Sequence, residues 1–303
     1  MTAVATSPGP DQATDERRAL WAIARYESLR LVRHPVFLIA ALLFIYGTVS
    51  TPFNEYANAE YDAPPHGAFS NLDYTMQAAF LLGLGGLIAM NRITSSAGRS
   101  EEVLRAAPMS EPRRSLALCL ACLVPTTLAL LGAGYVYAIW MVDPPVHTEN
   151  WGEFSNAELA AVLACGALAA LGGSLLGVVT ARWWRWPTAA AVTAVLLILW
   201  TILGLINDTN ALLTLNHLAA PYTLVSSNGD DWSWHLGGSW LWRVAYLAGL
   251  CGLAVIAACA HGSAGELRRK QVRWAIVLGA FTLAVLLVGT FTGPEGYFSW
   301  DDR

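Results

Sequence analysis

The chain has 303 residues, of which 55% are hydrophobic and only 13% are charged, and its mean hydropathy is +0.45. A soluble globular protein carries more charge than this on its surface, so the composition excludes that class. The net charge of −4 gives no electrostatic basis for binding nucleic acid.

Seven mostly apolar segments of 18 to 28 residues contain no Asp, Glu, Lys or Arg. They are the stretch between Arg33 and Glu55 and the windows Tyr74–Asn91, Ser115–Val142, Leu159–Ala181, Trp186–Asn207, Val244–Gly265 and Trp274–Pro294. A bilayer core of roughly 30 Å needs about 20 helical residues, and helices satisfy their own backbone hydrogen bonds in lipid. We therefore predict an all-α polytopic membrane protein with seven spans. An eighth uncharged window, 209–229, is too polar to span.

The basic residues predict the orientation of these spans. Sixteen of the 18 Lys and Arg residues lie before span one or after spans two, four and six. Because cytoplasmic loops carry the excess of Lys and Arg, these segments are expected in the cytoplasm. The N-terminus is then cytoplasmic and the C-terminus extracytoplasmic, in a multi-pass protein of the cell membrane.

The domain organisation follows from this topology. Residues 1–16 are polar and acidic and are predicted to form a disordered cytoplasmic tail without a signal peptide. Residues 35–265 are predicted to form a six-span membrane domain, and 266–303 to hold a basic loop, the extra span and a short outer tail. The outer segment 209–229 is expected to contain short helices that lie at the interface or re-enter the membrane.

The segment 17–34 is expected to form an amphipathic helix that lies in the cytoplasmic interface and ends at His34-Pro35. Its apolar stripe is predicted to hold Leu20, Trp21, Ala24, Leu31 and Val32, with Arg18, Arg25, Arg30 and Arg33 off the stripe. The alternative is a basic flank that only orients span one.

A charged island separates spans two and three. Seven of the twenty residues from Ser96 to Ser115 are charged. Ser100 is a good N-cap and Pro108 stops a helix, so a short capped helix is predicted near 100–108, followed by a second helix capped by Ser110. A two-turn helix is unstable alone in water, which favours docking on a partner over a solvated connector.

Several kinds of chemistry have no support in the sequence. A proton- or sodium-coupled carrier needs a buried carboxylate, and the predicted spans hold none. The single lysine, Lys270, lies in RRKQV and cannot form an ATP-binding P-loop. The loop carboxylates and histidine at Glu60, Asp62 and His66 match no metal-ligand spacing. No catalytic residue, cofactor or metal ligand is predicted.

Three smaller features of the spans have ordinary structural interpretations. Cys119 and Cys122 have C-x-x-C spacing but are expected to pack as small apolar side chains within a span. Gly173 and Gly177 form a GxxxG pair, for which packing within the chain is favoured over a dimer face. Arg243 is read as an interfacial anchor rather than a counter-ion for a substrate.

The order of these elements resembles that of the permease subunits of type-2 ABC transporters, which are mostly exporters. The resemblance covers residues 17–262 and is carried by ARYESLRLVRHPVFLIAALLF and GRSEEVLRAAPMSEPRRSLALCLA. Members typically have an acidic residue, then Leu, a P-x-S turn and basic residues before span three. Here these are Glu101, Glu102, Leu104, Pro108, Ser110, Arg113 and Arg114.

The resemblance implies that the short helix is a coupling helix in a cleft of a separate ATPase subunit. Its expected contacts are Glu101, Glu102, Leu104 and Arg105, between the caps Ser100 and Pro108. The interfacial helix, with Trp21, Arg25 and Arg30, would lie beside it. The chain would pair with a second permease chain, as a homodimer or heterodimer, and export an amphipathic, lipid-like or drug-like compound.

Two features depart from the family pattern: the seventh span and the very short loop RWWRWP after span four. The competing hypothesis is a multi-span membrane enzyme, or a scaffold protein with no transport role. The enzyme would require an outer cluster such as Glu60, Asp62 and His66 to be essential.

Overall fold

A computed structural model of the chain describes residues 10–58, 74–99, 110–142, 156–184, 186–205, 219–222, 234–235, 240–292 and 297–298. Its helices are α1 (Pro10–Val32), α2 (Pro35–Asn58), a π-helix (Ala78–Leu84) that continues into α3 (Gly85–Arg99), α4 (Glu111–Ala121), α5 (Leu123–Val142), α6 (Asn156–Trp183), α7 (Ala189–Leu205), α8 (Trp240–Ala260) and α9 (Gly265–Thr292). Two-residue strands, β1 (Trp234–His235) and β2 (Tyr297–Phe298), pair antiparallel. The predicted all-α class is confirmed.

Five of the predicted spans each fall on one of these helices, the second falls on the π-helix and α3, and the third on α4 and α5. Among the described residues, five helical segments are long and apolar enough to cross a membrane, or up to six if α1 and α2 are counted as one bent span. The helix of the fifth predicted span, α7, is shorter, with 17 residues. The helices are thus compatible with a membrane location for the protein.

The chain bends by 70° between α1 and α2. Pro35 is the first residue of α2, where its missing N–H has no helical partner to lose. The His34 carbonyl accepts the first bond of α2, from the Leu38 N–H at 2.9 Å. Helix α1 ends at Val32, two residues before the predicted stop at His34-Pro35. It begins at Pro10, so residues 10–16, which the sequence assigns to a tail, belong to the same helix in the structure.

Helix α6 lies at the centre of the bundle, in contact with the π-helix, α3, α5 and α8. Small residues permit this contact. A Cβ on Gly177 would lie 2.9 Å from the Leu87 Cα, and a Cβ on Gly173 would meet the backbone of Gly83. The GxxxG pair therefore packs α6 against span two, which the π-helix and α3 form, so it packs within the chain as predicted.

The last span is peripheral. Helix α9 contacts chiefly α8, and only 17% of its apolar window is buried. The pairing of β1 with β2 joins the segment before α8 to the segment after α9. The seventh span therefore returns the chain to the end of the bundle where α8 begins.

At that same end the segment 219–222 enters the bundle. Ala220 and Tyr222 are buried, and the Tyr222 ring packs edge-on to Phe80 of the π-helix at a centroid distance of 5.7 Å. The Tyr222 hydroxyl lies where side chains on Gly83 and Gly173 would be, deep within both spans. Of the predicted outer segment 209–229, the four described residues thus pack inside the bundle, and whether the segment re-enters the membrane stays a prediction.

Arg243 and Tyr246, in the first turns of α8, hold the segment 219–222 in place. The Arg243 guanidinium donates to the Ala220 carbonyl at 2.6 Å, and the Tyr246 hydroxyl donates to the Ala219 carbonyl at 2.7 Å. Arg243 is buried. It is therefore not the interfacial anchor that the sequence favoured, because its charge is used to hold a buried backbone carbonyl.

Candidate functional site

The ends of five helices meet at the arginine-rich end of the bundle, where the predicted coupling segment leaves α3 and enters α4. We call these ends, with their connecting side chains, the coupling frame: the described parts of α1, the last turns of α3, α6 and α8, and the first turns of α4. Helix α1 packs against both α3 and α4. The two sides of the segment 100–109 are therefore tied to the same helix.

Arg30 of α1 holds the end of α3. Its guanidinium donates to the Ser96 hydroxyl at 2.9 Å and to the Glu27 carboxylate at 2.9 Å. The Ser96 hydroxyl in turn donates to the Ile93 carbonyl within its own helix. This chain of bonds fixes the last turns of α3 against α1.

Glu111 is the first residue of α4 and connects three helices. Its carboxylate lies 3.2 Å from the guanidinium of Arg182 in α6 and 3.6 Å from Nδ1 of His261, just after α8. A carboxylate in the first turn also suits the positive end of the helix. The aliphatic part of the Glu111 side chain packs on Gly262, and a Cβ on Gly262 would lie 2.6 Å from the Glu111 Cγ. Glu111 therefore ties the start of α4 to the ends of α6 and α8.

Trp183 reinforces the same corner. Its indole N–H donates to the Ala257 carbonyl of α8 at 3.0 Å, and its ring lies edge-on to His261 at 5.4 Å. Trp183 is half exposed, as is expected for a tryptophan at a membrane interface.

The start of α4 is also held from α1. Arg113 forms an ion pair with Glu16, and Arg114 lies close enough to Glu27 to favour its ionised form. Burial is the larger influence on Glu27 and raises the pKa of its carboxyl group, while Arg30 and Arg114 lower it. Burial likewise lowers the pKa of His34, with Arg92 and Arg30 nearby, so His34 favours its neutral form.

The structure describes only part of the predicted site. The expected ATPase contacts Glu101, Glu102, Leu104 and Arg105, with the caps Ser100 and Pro108, lie outside the described residues. Ser110 is the N-cap of α4, and a proline lies in the first turn, as predicted, but the Ser110 hydroxyl makes no capping bond. The prediction of a coupling helix near 100–108 thus stays a prediction.

The structure divides the apolar stripe predicted for α1 between two faces. Ala24 and Leu31 are buried, but Trp21 and Val32, which were placed on the same stripe, are exposed at 59% and 41%. The buried face includes Glu27, which no apolar stripe would contain. Arg25 is exposed and Arg30 is partly buried by its bonds to Glu27 and Ser96.

A polar contact that the sequence did not indicate joins α3 to α6. The Asn91 side-chain amide donates to the Thr180 hydroxyl at 2.9 Å, and both residues are buried. Asn91 closes an uncharged window, and a lone amide at the end of a span could have marked it as an interhelical contact. The hydrogen bond between Asn91 and Thr180 lies on the arginine-rich side of the packed glycines Gly173 and Gly177.

Among the described residues, no group of three or more His, Cys, Asp or Glu side chains could hold a metal ion. Cys119 and Cys122 are buried free thiols within α4 and the turn that follows it. The loop residues Glu60, Asp62 and His66 lie outside the described part of the chain. The side chains described at this end form contacts between helices.

No protein-family model and no curated protein matches the chain. The coupling frame therefore has to be interpreted from its own geometry.

Proposed function

We propose that the chain is the membrane-spanning permease subunit of an ATP-driven ABC transporter. A separate ATPase subunit supplies the energy, and a second permease chain completes the translocation path. The protein resides in the cell membrane with its arginine-rich end in the cytoplasm. This proposal rests on the sequence resemblance, and the coupling frame is the structural observation that supports it.

The coupling frame supports the proposal because it makes both ends of the segment 100–109 parts of one connected unit. Arg30 ties the α3 end to α1, and Glu111 ties the α4 start to α6 and α8. A segment held in this way moves with the helices rather than independently of them. A displacement applied to it by an ATPase would therefore reach the spans.

In this mechanism the ATPase changes its contacts with the coupling segment between nucleotide states. The free energy available for movement is the difference between those contacts in the two states. Helices α3 and α4 carry the displacement to the centre of the bundle, because α3 packs on α6 through the glycine contacts and Asn91. The cargo is an amphipathic or lipid-like compound that passes between the two permease chains.

The test is co-expression of the chain with the ABC ATPase encoded nearest to it, followed by an ATPase assay of the purified complex in lipid. Reversing the charge of the expected contacts, Glu101→Arg with Glu102→Arg, should abolish the stimulation of hydrolysis by the permease. The reason is that the segment would then repel the surface that it is proposed to contact.

A matched control is Glu266→Arg, which reverses an exposed charge at the same end of the bundle, where Glu266 pairs with Lys270. It should leave stimulation unchanged. Normal stimulation by the Glu101/Glu102 variant, with the protein inserted at wild-type levels, contradicts the proposed contact. Full transport by the chain with no nucleotide hydrolase present contradicts the proposed function.

A further inference from the structure

The outward face of α1 is cationic because the fold buries or pairs most of the acidic side chains of this helix. Between residues 15 and 33 the helix has three acidic side chains. Glu27 is buried against Arg30 and Glu16 is turned to Arg113 of α4, which leaves Asp15 as the only exposed carboxylate of this stretch. Four arginines of the same stretch are exposed: Arg17, Arg18, Arg25 and Arg33.

Apolar and aromatic side chains are interleaved with these arginines. The exposed large apolar and aromatic residues on this helix are Trp21, Tyr26, Leu29 and Val32, each at least 41% exposed. At 100° per residue they occupy the same half of the helix as the exposed arginines. Exposed apolar residues continue past the bend at Leu38 and Ile39 of α2.

The 70° bend between α1 and α2 determines how this face of α1 is oriented relative to the bilayer. If α2 crosses the bilayer, α1 runs nearly parallel to the bilayer surface, at the depth where headgroups lie. A helix at that depth inserts its apolar side chains below the phosphates, while long arginine side chains extend to them. Guanidinium groups bind phosphate oxygens in a bidentate fashion.

We infer that the outward face of α1, formed by Arg17, Arg18, Trp21, Arg25, Leu29, Val32 and Arg33, is a docking surface for anionic phospholipid headgroups. Four arginines against one aspartate give the face an excess of three positive charges, which complements an anionic leaflet and not a zwitterionic one. Since this surface lies on the chain itself, the inference does not depend on a transport function.

A second basic cluster at the same end provides the control. Arg268, Arg269 and Arg273 are exposed in the first turns of α9, which rises out of the surface as a spanning helix rather than lying along it. Three charges can therefore be removed from either cluster. The α1 variant is Arg18→Gln, Arg25→Gln and Arg33→Gln, and the control variant is Arg268→Gln, Arg269→Gln and Arg273→Gln.

The experiment uses the purified full chain in nanodiscs that contain phosphatidylcholine with about one phosphatidylglycerol in five lipids. Native mass spectrometry then measures the ratio of the two lipids retained by the protein. We expect the wild type to retain phosphatidylglycerol preferentially. The α1 variant should lose this preference by about tenfold, and the control variant should keep most of it.

A third variant tests the apolar half of the surface. Trp21→Ser with Leu29→Ser should lower the retention of both lipids alike without changing their ratio. Inorganic phosphate added during the measurement should not replace the effect of the anionic lipid. An unchanged thermal unfolding midpoint in detergent checks that each variant is folded, as expected for exposed positions.

Three results would overturn the inference. An equal loss in the α1 and α9 variants would mean that the preference reflects the general positive charge of this end. No loss in the α1 variant would mean that the face does not meet headgroups. Loss of binding to a partner protein, with the lipid ratio unchanged, would make the face a protein interface instead.

Discussion

The two ends of the bundle are held together by different physical means. At the arginine-rich end, α1, α3, α4, α6 and α8 are joined by side-chain ion pairs and hydrogen bonds at the surface, with Glu111 and Arg30 as the main connections. At the other end, a four-residue backbone segment is inserted and secured by Tyr222, Arg243 and Tyr246. The first arrangement is polar and partly hydrated, and the second is buried and closely packed.

This difference bears on how each end can move. Partly exposed ion pairs contribute little net free energy and can exchange partners at small cost, so helices joined by them can shift. A buried aromatic side chain in a space bounded by glycine backbones has no such freedom, because its movement would leave a void. The arginine-rich end is therefore suited to receive a displacement, and the Tyr222 end to resist one.

The largest expected effect is the removal of the buried aromatic ring. Tyr222→Ala deletes the ring from the space between the π-helix and α6, where it contacts Phe80, Gly83 and Gly173. The resulting void should lower the free energy of unfolding by about 3 kcal/mol, measured in mixed micelles.

Tyr222→Phe is the matched control, because the Tyr222 hydroxyl is buried and has no hydrogen-bond partner among the described residues. Removing an unpartnered buried hydroxyl should leave stability equal to the wild type, or raise it by up to about 1 kcal/mol. If Tyr222→Phe lowers the free energy of unfolding as much as Tyr222→Ala does, the hydroxyl has an essential partner. Packing of the ring would then not be what stabilises this end.

The contrast between the two ends also separates what the sequence predicts from what it does not. The spans were predictable because the length of a membrane helix and its lack of charge are set by the bilayer. The bend at Pro35 and the N-cap at Ser110 were predictable because each depends on the local chemistry of one or two residues. These features need no knowledge of which helices are neighbours.

The remaining features depend on neighbours. Apolar side chains face lipid and protein alike in a membrane, so periodicity could not tell that Trp21 points outward while Ala24 packs inward. Glu27 is buried only because Arg30 and Arg114 lie beside it, and Arg114 belongs to another helix. The insertion of Tyr222 requires Gly83 and Gly173 from two separate spans, a coincidence that no local pattern records.

A smaller effect is expected at the arginine-rich end. Glu111→Gln, Arg182→Gln and the double variant form a cycle whose coupling energy isolates this ion pair. Arg182 is mostly buried but the Glu111 side chain is 48% exposed, so screening by solvent limits the coupling to about 1 kcal/mol or less.

The coupling energy from this cycle should also decrease as salt is added, because exposed charges are screened. Measuring the cycle in mixed micelles at low and high salt tests this. A coupling above about 2 kcal/mol that is insensitive to salt would contradict the view that partly exposed ion pairs connect this end, since it would require a fully buried pair.

The smallest expected effect is the pH dependence of folding stability that Glu27 of the coupling frame contributes. Burial raises the pKa of Glu27 above its usual 4.5, so the folded protein holds this proton more tightly than the unfolded chain does. Its contribution to stability is therefore fully present below pH 4.5 and is lost as the pH rises through the raised value.

Glu27→Gln removes this titration, so the variant should gain stability relative to the wild type as the pH increases through that window. The loss of the ion pair with Arg30 opposes the gain, and the net difference should stay within about 1 kcal/mol. Unfolding midpoints in mixed micelles, recorded for both proteins from pH 4 upward, measure the difference. If instead the wild type gains on the variant with rising pH, then Arg30 and Arg114 outweigh burial, and the frame holds Glu27 as a stabilising anion.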